Sequence, residues 1–221
     1  MFRGLFVTGT DTGVGKTVAA AALLHRYRGQ VPLRYWKPVQ TGIEQDDDTG
    51  EVARLGDCGP HELLTTGVRL ERPVSPHLAA RLSGLPIDVD ALVSLIRTEP
   101  DSSRWIVEGA GGALVPVTDS ANMADLMTRL GLPVLVVART ALGTINHTLL
   151  TLEALRSRAI EIAGVIMVGV PNADNREAIE RYGHVPVLGE MPRLEPLTAV
   201  ALAGWAASGL DRAGRLLELL Q

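Results

Sequence analysis

Residues 9–17 read Gly9-Thr10-Asp11-Thr12-Gly13-Val14-Gly15-Lys16-Thr17 and follow directly on the apolar run Leu5-Phe6-Val7. An apolar strand feeding a glycine-rich turn that ends in Gly-Lys-Thr has the makings of a phosphate cradle. Backbone N–H groups of the turn, those of Gly13, Val14 and Gly15 among them, point at phosphate oxygens. Lys16 brings a positive charge to the outer phosphates, and the Thr17 hydroxyl can ligate Mg²⁺. The helix expected from Lys16 through Thr17, Val18 and the alanines after them adds the positive end of its dipole. The spacing departs from the strict G-x-x-x-x-G-K-[ST] pattern, because Thr10 holds the first glycine position and Gly9 comes one residue early. The competing readings are a glycine-rich strand-to-helix turn with an incidental lysine, and a dinucleotide fingerprint, in which a Lys-Thr pair has no role. The segment points to a nucleoside triphosphate and leaves the reaction open.

Three further junctions carry groups that could act on one. Trp105-Ile106-Val107-Glu108-Gly109-Ala110-Gly111-Gly112 puts a carboxylate at the end of an apolar strand, placed to hold Mg²⁺ directly or through water. The glycines after it let backbone approach a ligand closely. The bland alternative is a surface glutamate before a turn. Tyr35-Trp36-Lys37-Pro38-Val39-Gln40-Thr41-Gly42 ends a strand in Lys37, a second ammonium that would neutralise a transferring phosphoryl group or an acyl-phosphate. A snorkelling surface lysine is the alternative. Thr41 is a candidate substrate hydrogen bonder or a turn cap. Leu142-Gly143-Thr144-Ile145-Asn146-His147 opens a helix whose free N–H groups could bind a carboxylate, or which Thr144 simply caps. The acidic run Asp46-Asp47-Asp48 is either solvated loop or a source of one more Mg²⁺ ligand, for which Asp48 stands at a helix start.

The elements that would position these groups alternate along the chain. Apolar strands are expected at 4–8, 33–37, 105–108, 134–138, 162–168 and 185–188. Helices are expected at 16–28, 48–55, 76–82, 89–97, 123–130, 145–158, 175–182, 198–206 and 211–220. Strands without polar alternation, separated by helices, predict a single α/β domain spanning residues 1–221: a mostly parallel sheet with helices on both faces. In such sheets ligands bind at the carboxyl ends of the strands, where each junction above falls. The composition agrees, with 46% hydrophobic residues and a formal charge of −4, which argues against nucleic acid as a general partner. No apolar run approaches the roughly 20 residues that span a bilayer. The start of the sequence shows no signal peptide, and the single cysteine, Cys58, suits a reducing cytoplasm.

The junctions taken together resemble the dethiobiotin synthetase family, the ATP-dependent ligases of biotin biosynthesis. That family carries G-T-D-T-x-V-G-K-T, K-P-V-x-[ST]-G, V-E-G-A-G-G and L-G-x-I-N-H in this order. The matches here are Gly9–Thr17, Lys37–Gly42, Val107–Gly112 and Leu142–His147. Arg72-Pro73-Val74-Ser75-Pro76-His77 resembles its P-x-S-P-H segment, and the likeness extends to about residue 195. The resemblance implies a P-loop fold and closure of a cyclic urea. One amine of 7,8-diaminononanoate (diaminopelargonate) takes up CO₂ or bicarbonate as a carbamate. The carbamate attacks the γ-phosphate of ATP, and the second amine displaces phosphate from the mixed anhydride. It implies Lys16 and Lys37 as catalytic groups, and Mg²⁺ held by Thr17, Asp48 and Glu108. Nucleotide contacts would come from Gly13–Val18, Glu108–Gly111 and the later Pro192, Arg193 and Leu194. Thr12 and Thr41 would lie near the diamine. Gly143, Thr144 and Asn146 would take the substrate's tail carboxylate from the partner subunit of a homodimer.

One segment departs from the family. Its members that prefer adenine carry Asn-Asp after a run like A-G-x-V-A; here Ala163-Gly164-Val165-Ile166-Met167 continues with Val168-Gly169, and Asn172 lies a few residues too far on. A loosely read base is the expectation. Two other classes share the loop. Partitioning-type ATPase switches keep a second lysine early in the turn, where this chain has Asp11. Cobyrinate-type amidoligases usually carry a fused glutaminase with a nucleophilic cysteine, for which Cys58 has no fitting context.

Overall fold

The computed structural model describes residues 3–99 and 103–221. Its centre is a seven-stranded sheet in the order β4-β2-β6-β1-β7-β8-β9. Those strands are β1 (Gly4–Gly9), β2 (Leu33–Trp36), β4 (Leu63–Leu64), β6 (Arg104–Gly112), β7 (Val134–Arg139), β8 (Ile162–Val168) and β9 (Val187–Met191). Every pairing in it is parallel. Two short strands, β3 (Val39–Thr41) and β5 (Val68–Leu70), form a second parallel pair.

The strands lack polar alternation because both faces are covered. On one face Phe6, Trp36, Val107 and Val136 pack with α3 (Pro76–Ser83), α4 (Val89–Arg97), α5 (Met123–Leu130), α6 (Thr144–Arg156) and α7 (Ala173–Gly183). On the other, Leu5, Val7, Tyr35, Ile106 and Val137 pack with α1 (Lys16–Tyr27), α2 (Asp48–Leu55), α8 (Ala199–Gly209) and α9 (Arg215–Leu220). Ala19 to Ala22 are all fully buried, and their small side chains let α1 lie close on the sheet and on its neighbours.

β1 sits between β6 and β7, with Val7 opposite Glu108 and opposite Leu135. That register carries Glu108 to the phosphate-loop end of the sheet. Several expected boundaries move. β3, β4 and β5 are too short to have announced themselves. β6 runs on through the glycines to Gly112, which pairs with Gly9. β9 lies two residues later at its start and three at its end than the expected 185–188. The final helix begins at Arg215 rather than 211, because Asp211 takes a left-handed conformation (φ 45) and its carboxylate accepts from the N–H groups of Arg215 and Leu216.

Candidate active site

The loop after β1 owes its shape to glycine. Gly13 (φ 67) and Gly15 (φ 98) are left-handed, and Gly15 is the N-cap of α1 with no side-chain cap. The first N–H groups of α1 are therefore free to meet an anion. A Cβ on Gly15 would also crowd the Val168 side chain at 3.1 Å, which adds to the backbone strain a larger residue would carry there. Lys16, 7% exposed, reaches back along the loop and donates to the Asp11 carbonyl at 3.0 Å. Burial lowers its pKa to about 8, with the nearby Glu108 charge pulling the other way. A phosphate there would restore the full charge, so the loop favours an anionic ligand.

Across the cleft, Glu108 is fully buried. Its Oε1 accepts from Lys37 Nζ at 2.7 Å and lies 3.0 Å from the Thr17 hydroxyl, while its Oε2 accepts from the Tyr35 hydroxyl at 2.9 Å. Asp48, the first residue of α2, offers Oδ2 to Lys37 Nζ at 2.5 Å and Oδ1 to Thr17 Oγ1 at 2.9 Å. The Lys37 ammonium, 4% exposed, thus lies between two carboxylates. Burial disfavours its charge, but Glu108 and then Asp48 outweigh that and raise its pKa. Burial likewise acts against the Asp48 carboxylate, and Lys37 more than offsets it, so its pKa is lowered.

Thr12, Gly13, Gly15, Lys16, Thr17, Val18, Lys37, Thr41, Asp48, Glu108, Ala110 and Gly111 line one cleft of about 560 Å³. Val14 and Gly109 do not line it: Val14 is core, and a Cβ on Gly109 would strike the Phe6 ring at 2.9 Å. Gly143 and Thr144 line a separate small hollow with Thr10, Asp11, Arg139 and His147, and Asn146 is exposed next to His147. There the Thr144 hydroxyl donates to the Arg139 carbonyl. Pro192 lines a different groove beyond β9, Arg193 is exposed, and Leu194 packs on the core.

Tyr35 was not among the expected site residues, although its signal was available: it stands two residues before Lys37 in a strand and so shares a strand face with it. Pro73, Val74, Ser75 and Pro76 also line the cleft. Ser75 is the N-cap of α3, but its hydroxyl meets His77 Nδ1 at 3.1 Å instead of capping the helix. Gln40 and Arg69, on the small β3–β5 sheet, brace the acidic loop. Gln40 donates to the Asp46 carbonyl at 2.8 Å and Arg69 to the Thr49 hydroxyl at 2.9 Å. Nothing in the spacing of the chain showed that brace.

Residues 3–201 match the model of a family described as an AAA domain. An ATP-dependent dethiobiotin synthetase BioD of Rhodopseudomonas palustris is 48% identical over 210 residues, covering 94% of this chain and 95% of that protein. The chain belongs to the dethiobiotin synthetase family. It is with that family a ligase of biotin biosynthesis. The synthetase BioD of Agrobacterium fabrum is 47% identical over 196 residues, 89% of each chain. A Biotin biosynthesis bifunctional protein BioCD of Bordetella avium is 46% identical over 206 residues, and the match takes in 92% of this chain but 42% of that one. In fold the synthetase resembles the cell division ATPase MinD of Pyrococcus furiosus (TM-score 0.61, 18% identity, all of both chains). It also resembles a ParA family ATPase of Chlorobium tepidum (TM-score 0.59, 11% identity, 93% of this chain and 98% of that one). These likenesses establish the P-loop architecture alone. No helix among the described residues is long and apolar enough to cross a membrane.

Proposed function

We propose that the cleft closes the urea ring of dethiobiotin from 7,8-diaminononanoate, CO₂ and a nucleoside triphosphate. One amine adds CO₂ and loses a proton to become a carbamate. A carbamate oxygen attacks the γ-phosphorus, the bond to ADP breaks, and a carbamic–phosphoric anhydride forms. The second amine attacks the anhydride carbonyl, loses its proton, and phosphate leaves with the ring closed. The observation that carries this reading is the buried Lys37 beside Lys16 at the mouth of the phosphate loop. Charge spreads over the transferring phosphoryl oxygens, and the two nearly buried ammonium groups offset it.

The oxygen donors Thr17, Asp48 and Glu108 fit Mg²⁺. They are hard ligands, and the space between the two carboxylates already accepts the Lys37 cation. Among the described residues no group of three or more His, Cys, Asp or Glu is gathered for a metal, so phosphate oxygens and water would complete the coordination. A bound Mg²⁺ supplies charge neutralisation at the phosphates. Thr17, Asp48 and Glu108 would hold it, and Lys37 beside them would offer its charge to the transferring group. Thr12 and Thr41, which both line the cleft, orient the diamine.

The helix start at Gly143–Asn146 lies outside this cleft, which supports a homodimer in which the partner supplies it. The face around it has exposed Leu114, Leu142 and Leu150 beside a groove of about 490 Å³. The base is loosely read. Val168 packs on the loop through Gly15, and Asn172 is committed as the N-cap of α7, accepting from Asn175 N–H at 2.9 Å. Val168 carries no amide, and the side-chain oxygen of Asn172 is already engaged. Purified protein given diaminopelargonate, bicarbonate, Mg²⁺ and ATP, CTP, GTP or UTP in turn is expected to yield dethiobiotin by mass spectrometry, at rates within a hundredfold of one another. A larger preference for ATP would overturn the loose reading of the base.

A further inference from the structure

We propose that Tyr35 is a positioning residue that reserves one oxygen of Glu108 and thereby presents the other to the cleft and its metal. This deepens the metal reading above and rests on it. The two oxygens of Glu108 have separate partners. Among the described residues Oε2 accepts from the Tyr35 hydroxyl alone, at 2.9 Å, and Oε1 meets Lys37 Nζ and the Thr17 hydroxyl. Tyr35 and Glu108 are both fully buried, so no solvent replaces either partner. The hydroxyl donates and the ionised carboxylate can only accept, so the direction of this bond is set. It is a fixed donor.

The terminal torsion of a glutamate is soft and two-fold, so nothing within the side chain decides which oxygen faces the cleft. The phenol decides it. Without that donor, Oε2 would lie unpaired on the buried sheet face that Ile106 shares, and the carboxylate would turn to give both oxygens to Lys37. Lys37 would then be held against Glu108 and the metal-facing oxygen lost. Partners behind metal ligands commonly change metal affinity by roughly 10–100-fold.

The test is Tyr35→Phe, which keeps the ring and removes the donor. Mn²⁺ binding to the complex of protein with ADP, read by electron paramagnetic resonance, is expected to weaken by at least roughly tenfold. ADP binding without metal should stay within about twofold, since among the described residues the Tyr35 hydroxyl bonds to Glu108 and not to the phosphate loop. Glu108→Gln serves as the reference and is expected to weaken Mn²⁺ binding at least as much. If Glu108→Gln weakens Mn²⁺ while Tyr35→Phe matches the wild type, Tyr35 does not position the carboxylate. If Glu108→Gln itself leaves Mn²⁺ binding unchanged, the metal reading fails and takes this proposal with it. A second measurement needs no variant at Tyr35. The chain has three tyrosines, and Tyr27 and Tyr182 can be assigned by their own substitutions. In protein labelled at tyrosine, the remaining ring signal should move when Mg²⁺ joins the ADP complex; a stationary signal overturns the proposal.

Discussion

Replacing Lys37 by alanine is expected to cut turnover by at least roughly tenfold, and toward a hundredfold or more if Lys37 meets the developing charge only in the transition state. The loss should appear in kcat, with KM for the diamine little changed. A second effect follows from the ion pairs. Without the ammonium, Glu108 and Asp48 face one another across Thr17 and lose the cation they share. Breaking a buried pair by removing one partner costs about 3–5 kcal/mol, because the remaining charge is left uncompensated. The variant should therefore melt well below the wild type in chelator and recover part of the difference in saturating Mg²⁺, which replaces the lost cation. Near-normal turnover together with an unchanged melting temperature would make Lys37 a bystander.

The largest effect on stability alone is expected at Asp211, far from the chemistry. Its carboxylate, 1% exposed, accepts the Tyr27 hydroxyl at 2.6 Å and the N–H groups of Arg215 at 3.0 Å and Leu216 at 2.8 Å. Its own N–H donates to the Leu188 carbonyl at 2.7 Å. One side chain thus ties α9 to α1, while its backbone ties the same corner to β9. Asp211→Ala orphans a phenol and two amides and places alanine in a left-handed conformation. The expected loss is roughly 2–4 kcal/mol, or roughly 5–15 °C in Tm for a chain of this size. Asp211→Asn tolerates the backbone better and keeps an acceptor, so it should lose less. Chemical denaturation with an unchanged m-value would measure both. A loss under about 0.5 kcal/mol for alanine would show that solvent or a neighbour replaces the carboxylate.

These two residues mark the reach of the sequence. Lys37 was legible because its chemistry is local: a lysine closing an apolar strand lies at the ligand-binding edge of a parallel sheet whatever the details of packing. Glu108 was legible for the same reason, and the Val7–Glu108 register then places it beside the loop. The small strands β3 and β5 were not. Each spans three residues, and the Arg69 and Gln40 side chains that use them pair across 29 positions. Asp211 reaches Tyr27 across 184 positions, and no short-range pattern encodes such a contact. The glycines at 109–112 read as loop because glycine is poor in strands. The sheet admits them there because the Phe6 ring leaves no room for a Cβ at Gly109.

Oxygen transfer from bicarbonate tests the central claim most directly, namely that a carbamate oxygen attacks the γ-phosphoryl group between Lys16 and Lys37. Bicarbonate labelled with heavy oxygen is supplied with diaminopelargonate, Mg²⁺ and ATP, and the released phosphate is analysed by mass spectrometry within a few turnovers. The account predicts one labelled oxygen in each phosphate formed with dethiobiotin, and label transfer that falls with turnover in Lys37→Ala. Dethiobiotin formed alongside unlabelled phosphate would contradict it, because the phosphoryl group would then have passed to water and not to the carbamate.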